Sequence, residues 1–293
     1  MQARSAGIRQ IRTFRPTKQV PTLDWTTACD FLFKMLLFLM VMFRESFIFL
    51  PRVSYAKEAA IWQQGIGDWN EFIASSKVRG FSCAKKVQAD EKIRHVKQWF
   101  YNDEVSRLAQ ALPKNEHWRL YDDFKSEAVF LDIETEGEYG NITVVGLFDG
   151  ENTKTFVRGI NLDRRVLQQE MEKYKLIITY NGSSFDLPVI RRFFQLNPVV
   201  PHIDLRGVCS RIGLTGGLKS IEQQLGIKRP ESIKHVTGKD AAALWHCWKA
   251  TGDKDFLDML VTYNEEDIVN LKPIADLAIK RLWEKMRNRN CQK

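Results

Sequence analysis

The 293-residue chain is 44% hydrophobic and 27% charged, an ordinary globular composition that excludes a low-complexity chain and leaves room for one large domain or two smaller ones. Its formal charge of +8 hints at a polyanion partner, but the excess lies at the ends. Residues 1–23 carry five bases and no acid, residues 280–293 carry six bases against Glu284, and the segment between is slightly acidic. Cys29, Cys83, Cys209, Cys247 and Cys291 are scattered, with no C-x-x-C pair. That pattern argues against a disulfide framework or a zinc site and suits a reducing cytoplasm. His246-Cys247 is an adjacent pair without matching ligands nearby.

In chain order, residues 1–30 are basic and hydroxyl-rich and read as poorly ordered. Residues 31–43 form the most hydrophobic run, yet its longest uncharged piece, Met35 to Phe43, is far short of the roughly 20 residues a spanning helix needs. Asp24 and Asp30 precede it and no small-residue cleavage site follows, so neither a signal peptide nor stable membrane association is expected. Residues 1–41 are read as an extension that is poorly ordered or absent from the native product, with Met35, Met40 and Met42 as alternative starts.

Residues 42–122 read as a helical region. A helix over Tyr55 to Gln64 is stopped by Gly65, and Asp68 caps the next helix, which begins with Trp69 and Phe72. Two short helices about a tight turn resemble a helix-hairpin-helix element, which offers backbone amides to a nucleic-acid phosphate. The chain has Arg52-Val53-Ser54 where that motif has Gly-x-Gly, so a helical cap that only packs on the main domain fits equally well. Residues 91–112 predict one amphipathic helix, with Ile93, Val96, Trp99, Phe100, Val105, Leu108 and Leu112 mostly at three- and four-residue steps and Pro113 as its stop.

Residues 127–285 read as an α/β domain with a mixed sheet flanked by helices, and residues 286–293 as a basic tail. Ala128 to Thr135 is a buried strand that ends in acids. Alternation puts Asp132 and Glu134 on one face and Leu131 and Ile133 on the other. Two neighbouring acids on a buried strand require a partner, commonly a divalent cation. Ile142 to Phe148 and Thr153 to Val157 are strands joined at an Asp149-Gly150 turn. A helix capped by Asp163 follows, then a short buried strand over Leu176 to Tyr180 and the polar loop Asn181-Gly182-Ser183-Ser184. Helices follow, the long ones over Ala241 to Lys249 and Phe256 to Met286. Three antiparallel strands and a crossover strand make the sheet mixed.

Two further acids stand in distinctive settings: Asp186 at a strand-loop-helix junction, and Asp267 one helical turn after Tyr263. Leu131-Asp132-Ile133-Glu134-Thr135, the stretch Asn181 to Pro188, and Tyr263-x-x-x-Asp267 resemble, in order, the three exonuclease motifs of the DEDDy (DnaQ-like) 3′→5′ exonuclease superfamily on a ribonuclease H-like fold. A closer resemblance is to the YprB-type ribonuclease H-like domains. It rests on the segment Phe47 to Phe72, the Trp-Arg-Leu-Tyr stretch Trp118 to Tyr121, and His-x-Asp-Leu at His202 to Leu205, and it covers roughly residues 42–285.

The resemblance implies a metal-dependent 3′→5′ exonuclease on DNA or RNA with a free 3′ end, using two Mg²⁺ or Mn²⁺ ions about 4 Å apart. It implies Asp132 as the bridging ligand, Glu134 and Asp267 completing one site, Asp186 supporting the other, and Tyr263 orienting the attacking water. An endonuclease and a non-catalytic nucleic-acid-binding module are the other readings. Asp186 as a helix cap, Asp267 on a solvated acidic face and Tyr263 as a core residue are the plainer assignments of the same positions. Thr135, Asn181, Phe185, His202 and Lys219 are candidate nucleic-acid contacts. For Phe185, stacking on a base and packing in the core weigh equally. Surface solvation for Lys219 and a structural hydrogen bond for His202 are their alternatives.

Overall fold

The structure is a computed structural model that describes residues 42–137 and 140–288. The extension over residues 1–41 and the tail over residues 289–293 lie outside the described residues. Among the described residues no helix is long and apolar enough to cross a membrane.

The helical region starts with α1 (Tyr55–Trp62) and α2 (Trp69–Ala74). Gly65, at φ 80°, turns the chain between them, and Asp68 caps α2 by accepting from the Glu71 amide at 2.8 Å. Arg52 stands at φ 61°, in the left-handed region that a glycine adopts without steric cost. The single helix expected over 91–112 is two, α3 (Cys83–Tyr101) and α4 (Val105–Ala111). Asp103 adopts φ 59°, while the amides of Asn102 and Glu104 close onto the carbonyls of Gln98 and Trp99. Aspartate tolerates this conformation better than most residues, and the apolar spacing runs across the break, so periodicity alone hides it.

Short 3₁₀ turns over Lys114–Leu120 and Lys125–Glu127 flank α5 (Tyr121–Phe124) and deliver the chain to β1 (Ala128–Thr135). Arg119, fully buried, joins this link to the helical region. Its Nη2 donates to Glu58 Oε2 at 2.9 Å, its Nε to Glu116 Oε2 at 2.6 Å and its Nη1 to Ser46 Oγ at 2.7 Å. Glu58 is itself fixed by the amides of Phe47 and Ile48, at 2.7 and 2.9 Å.

The remaining strands are β2 (Ile142–Phe148), β3 (Thr153–Val157), β4 (Leu176–Thr179) and β5 (His202–Asp204). Their order is β3-β2-β1-β4-β5; β1, β2 and β3 are antiparallel, and β4 and β5 add in parallel. This is the mixed sheet of three antiparallel strands plus parallel strands expected from the sequence, with β5 as a parallel strand whose place the sequence did not mark. His-Ile-Asp is too short and too polar to read as a strand. One face buries Val129, Leu131, Ile133, Ile177 and Leu147 against Leu167 of α6 (Arg164–Met171) and Ile190 of α7 (Asp186–Phe194). The other buries Val144 and Val157 against Ala241 and Trp245 of α10 (Gly238–Thr251) and Leu260 and Tyr263 of α11 (Lys254–Asn288). Between these helices lie α8 (Leu205–Arg211) and α9 (Leu218–Leu225). At the α-helical rise per residue α11 is ~50 Å long. Its first half faces the acids of β1, and Trp283 near its far end lies under the Arg119 guanidinium, 5.5 Å from ring to charge.

Candidate active site

Asp132 and Glu134 share the face of β1 that looks toward α11. Glu134 pairs with Val144, and Asp132 pairs with Gly146 on β2. A Cβ at Gly146 would stand 2.1 Å from Asn264 Oδ1, so the glycine is what lets α11 approach the strand here. The approach carries Asn264 Nδ2 to 3.0 Å from Asp132 Oδ2, where it donates. Asn264 Oδ1, packed against Gly146, is buried without a hydrogen-bond partner, an orphan that ordinarily costs about 1–3 kcal/mol. Gly146→Ala should displace Asn264 and cut turnover about tenfold while the protein still folds. Gly146→Ala/Asn264→Ala should recover the thermal stability lost by the single variant but not the turnover, as melting curves and initial rates will report.

Asp267 lies one turn after Tyr263 on α11. One carboxylate oxygen each from Asp132, Glu134 and Asp267 fall within 4.8 Å of one another, the only metal-ligand grouping of this kind among the described residues. Glu134 and Asp267 are 8% and 6% exposed. Asp186 comes from the opposite side. The β1–β4 pairing ends at Phe130–Ile178, and past that point the Ile133 amide donates to Asp186 Oδ1 at 3.1 Å. Asp186 is the first residue of α7 rather than its cap, since the cap position is Phe185. It stands outside the three-oxygen group, yet its charge is the largest of the acidic repulsions on Asp132.

Burial holds all these acids above the usual carboxylate range, and for Asp132 and Glu134 repulsion from the other acids of the group adds to it. Asp132 and Glu134 are well above that range. Asp186 is pushed up to about 7 by burial, despite the Ile133 amide, and Asp267 to about 6 by burial, with Arg229 opposing. A folded-state pKa above the unfolded value means that the folded protein binds more protons. The stabilisation is therefore complete below about pH 4 and is lost as pH rises toward 7. In EDTA the protein should be more stable at pH 5.5 than at pH 8, with Asp186 alone contributing about 2 kcal/mol. Asp186→Asn should flatten that slope, and urea melts at the two pH values measure it. Oxygen-only donors, crowded and short of positive charge, are the set that a hard divalent cation satisfies, so the residues fit such an ion.

Tyr263 is 7% exposed, and its phenol is held above its ordinary range by burial first and by Asp267 and Glu134 next, so it keeps its proton. Two cations lie over its ring: Lys219 Nζ at 5.3 Å and the Arg229 guanidinium at 5.6 Å. Lys219 is thus placed at the site. Arg229, which sequence reasoning missed, bonds Asp267 directly and is gripped by Glu222 through Nε and Nη2, both at 2.6 Å. Its distance along the chain from every motif explains the miss. Asn264 lay in plain view between Tyr263 and Asp267, and only the glycine inside β2 signalled the close approach.

The other candidate contacts shape the β4–α7 loop and its surroundings. Asn181 sits at φ 68°; its amide donates to Asp204 Oδ1 at 2.8 Å, and its Oδ1 accepts from Arg206 at 2.7 Å. Gly182 donates to Thr179 Oγ1 at 3.0 Å, and a Cβ on it would strike that side chain. His202 Nε2 is 2.8 Å from Thr179 Oγ1, and burial pulls its pKa down to about 4, so the ring is neutral and engaged by Thr179 rather than grouped with the acids. Phe185 packs against the core that contains Ile133 and Ile190. Thr135, past a register shift in β1, donates to the Gly137 carbonyl at 2.6 Å.

A family model described as the RNase_H superfamily matches residues 129–279. No curated protein sequence matches the chain. Among solved structures, the family B DNA polymerase from the hyperthermophilic archaeon Pyrobaculum calidifontis is 14% identical, covering 53% of this chain and 26% of that one, with a TM-score of 0.42. RNase D from Escherichia coli, an exoribonuclease involved in structured RNA processing, is 19% identical, covering 65% of this chain and 49% of that one, with a TM-score of 0.40. The chain spans less than half the length of either solved chain.

Proposed function

The chain belongs to the RNase_H superfamily, and from that membership and its buried acids we propose that it is a divalent-cation-dependent nuclease. The single observation that carries the proposal is the convergence of Asp132, Glu134 and Asp267 oxygens within 4.8 Å in a buried site. Within nucleases we assign it to the DEDDy (DnaQ-like) 3′→5′ exonucleases, nearest the YprB type, because Tyr263 lies buried one turn before Asp267 and beside Glu134.

Asp132, Glu134 and Asp267 would hold one Mg²⁺ or Mn²⁺ and Asp186, with Asp132, a second. When bound, the cations supply Lewis-acid neutralisation of the charge that builds on the scissile phosphate. The chain's own groups do the rest. Asn264 and the Ile133 amide fix the orientations of Asp132 and Asp186. Tyr263, protonated throughout the physiological range, orients the attacking water through its hydroxyl. Lys219 adds positive charge beside the ring for an incoming phosphate; Thr135 ends the strand that carries Asp132 and Glu134, and Asn181 and Phe185 lie in the loop that leads into Asp186. His202 supports the loop through Thr179 instead of touching substrate.

The test is digestion of end-labelled single-stranded and duplex DNA and RNA with Mg²⁺ or Mn²⁺. Stepwise release of 5′-mononucleotides from the 3′ end is the expected result. Oligonucleotides as first products would make the protein an endonuclease, and binding without cleavage would make it a non-catalytic module.

A further inference from the structure

The acids of the site are not entirely without counter-charge, and of the two cations near them Arg229 is the one bonded to an acid of the group. Gly226, at φ 74°, ends α9 and turns the chain back on itself. Arg229 thereby returns to Glu222, seven residues earlier, and reaches Asp267 on α11. Its Nη2 serves both Glu222 Oε1, at 2.6 Å, and Asp267 Oδ1. Glu222 is 2% exposed and also accepts from Asn270 Nδ2 at 3.0 Å, so the anchor is tied to α9 and to α11, one turn past Asp267. The remaining nitrogen, Nη1, is buried without a hydrogen-bond partner. The nitrogens that are bonded, Nε and Nη2, are both committed to carboxylates, which fixes the guanidinium against Asp267.

Resting on the reading that these acids hold a divalent cation, we propose that Arg229 is a positioning residue, the resident counter-ion of the site, which shares Asp267 with the bound cation and sets how tightly that cation is held. Glu222 holds the guanidinium in place and offsets its charge. The pair together is close to neutral, so the two halves act on a cation in opposite directions. Removing the Arg229 charge exposes Glu222 and frees Asp267, making the site more negative. Removing the Glu222 charge leaves Arg229 unopposed beside the cation, making the site less negative. Simple damage to packing would weaken cation binding in both cases.

Calorimetric titration of the full chain with Mn²⁺ alone reads these signs without recourse to activity. Arg229→Met should bind Mn²⁺ about tenfold more tightly than wild type, and Glu222→Gln about tenfold more weakly, each a decade or ~1.4 kcal/mol. Arg229→Lys, which keeps the charge but not the fork that grips Glu222, should fall between wild type and Arg229→Met. Unchanged or weaker binding by Arg229→Met, or unchanged or tighter binding by Glu222→Gln, overturns the proposal. If Arg229→Met does not fold, Arg229→Gln takes its place with the same expected sign. Wild-type protein that takes up no Mn²⁺ would end the cation reading itself, whereas wild-type uptake with unmoved variants would end only the role given to Arg229.

Discussion

Asp132→Asn is expected to lower cation-dependent hydrolysis about a thousandfold or more, and at the same time to make the metal-free protein more stable by about 1–2 kcal/mol. Both effects have one cause. Asp132 is crowded by Asp186, Asp267 and Glu134, and burial and their repulsion hold its carboxyl far above the ordinary range. Asparagine removes the charge and retains an oxygen for Asn264 Nδ2, which lies 3.0 Å from Asp132 Oδ2. The fold therefore gains what the site loses. A second readout separates this from damage: Mn²⁺ at a hundred times its dissociation constant should stabilise wild type by about 2.7 kcal/mol and leave the variant unmoved. Loss of activity together with lower metal-free stability would assign Asp132 to the fold instead.

Arg119→Met is expected to cost about 3–5 kcal/mol, the largest stability effect of any single substitution considered, although Arg119 lies on the 3₁₀ turn before β1 and in none of the site motifs. Arg119 and Glu58 are both fully buried, and Glu116 is nearly so. Removing the cation leaves two carboxylates without their shared partner. Glu58 would still receive the amides of Phe47 and Ile48, and Glu116 the Arg211 guanidinium at 2.8 Å, which limits the loss. Urea unfolding reads the cost directly, and Glu58→Gln/Arg119→Met should be less destabilised than the two single changes added together. A cost under about 1 kcal/mol would mean that the charges are solvated and the linkage is not structural. The same residue stacks on Trp118 and Trp283, so the turn before β1, the helical region and the far end of α11 meet at one guanidinium.

What was legible in the sequence was local or strictly periodic. Alternation in Val129 to Glu134 separates the core face from the acid face without any knowledge of neighbours. The Asp149-Gly150 turn, with Gly150 at φ 100°, and the caps Asp68 and Asp163 follow from residues within a turn of one another. The four acids and Tyr263 were legible as ordered motifs, each on the element that its spacing implied. The break at Asp103 was not, because apolar spacing persists across it. Nor was β5, whose pairing with β4 supplies what its three residues lack in pattern. Asn264, Gly146, Glu222 and Arg229 form contacts between elements distant in sequence, and no local pattern specifies which arginine will reach Asp267. The Trp118 to Tyr121 stretch was visible as a signature, while its work as a fastener depends on Glu58 and Trp283, which are remote along the chain.

The central claim is that Asp132, Glu134 and Asp267 are built to hold a divalent cation. Anomalous diffraction from crystals grown in Mn²⁺ tests it most directly. The expected result is a peak within coordination distance, about 2.0–2.3 Å, of an oxygen from each of these three carboxylates. A saturating Mn²⁺ soak with no peak at the cluster, or a peak only elsewhere on the molecule, would contradict it.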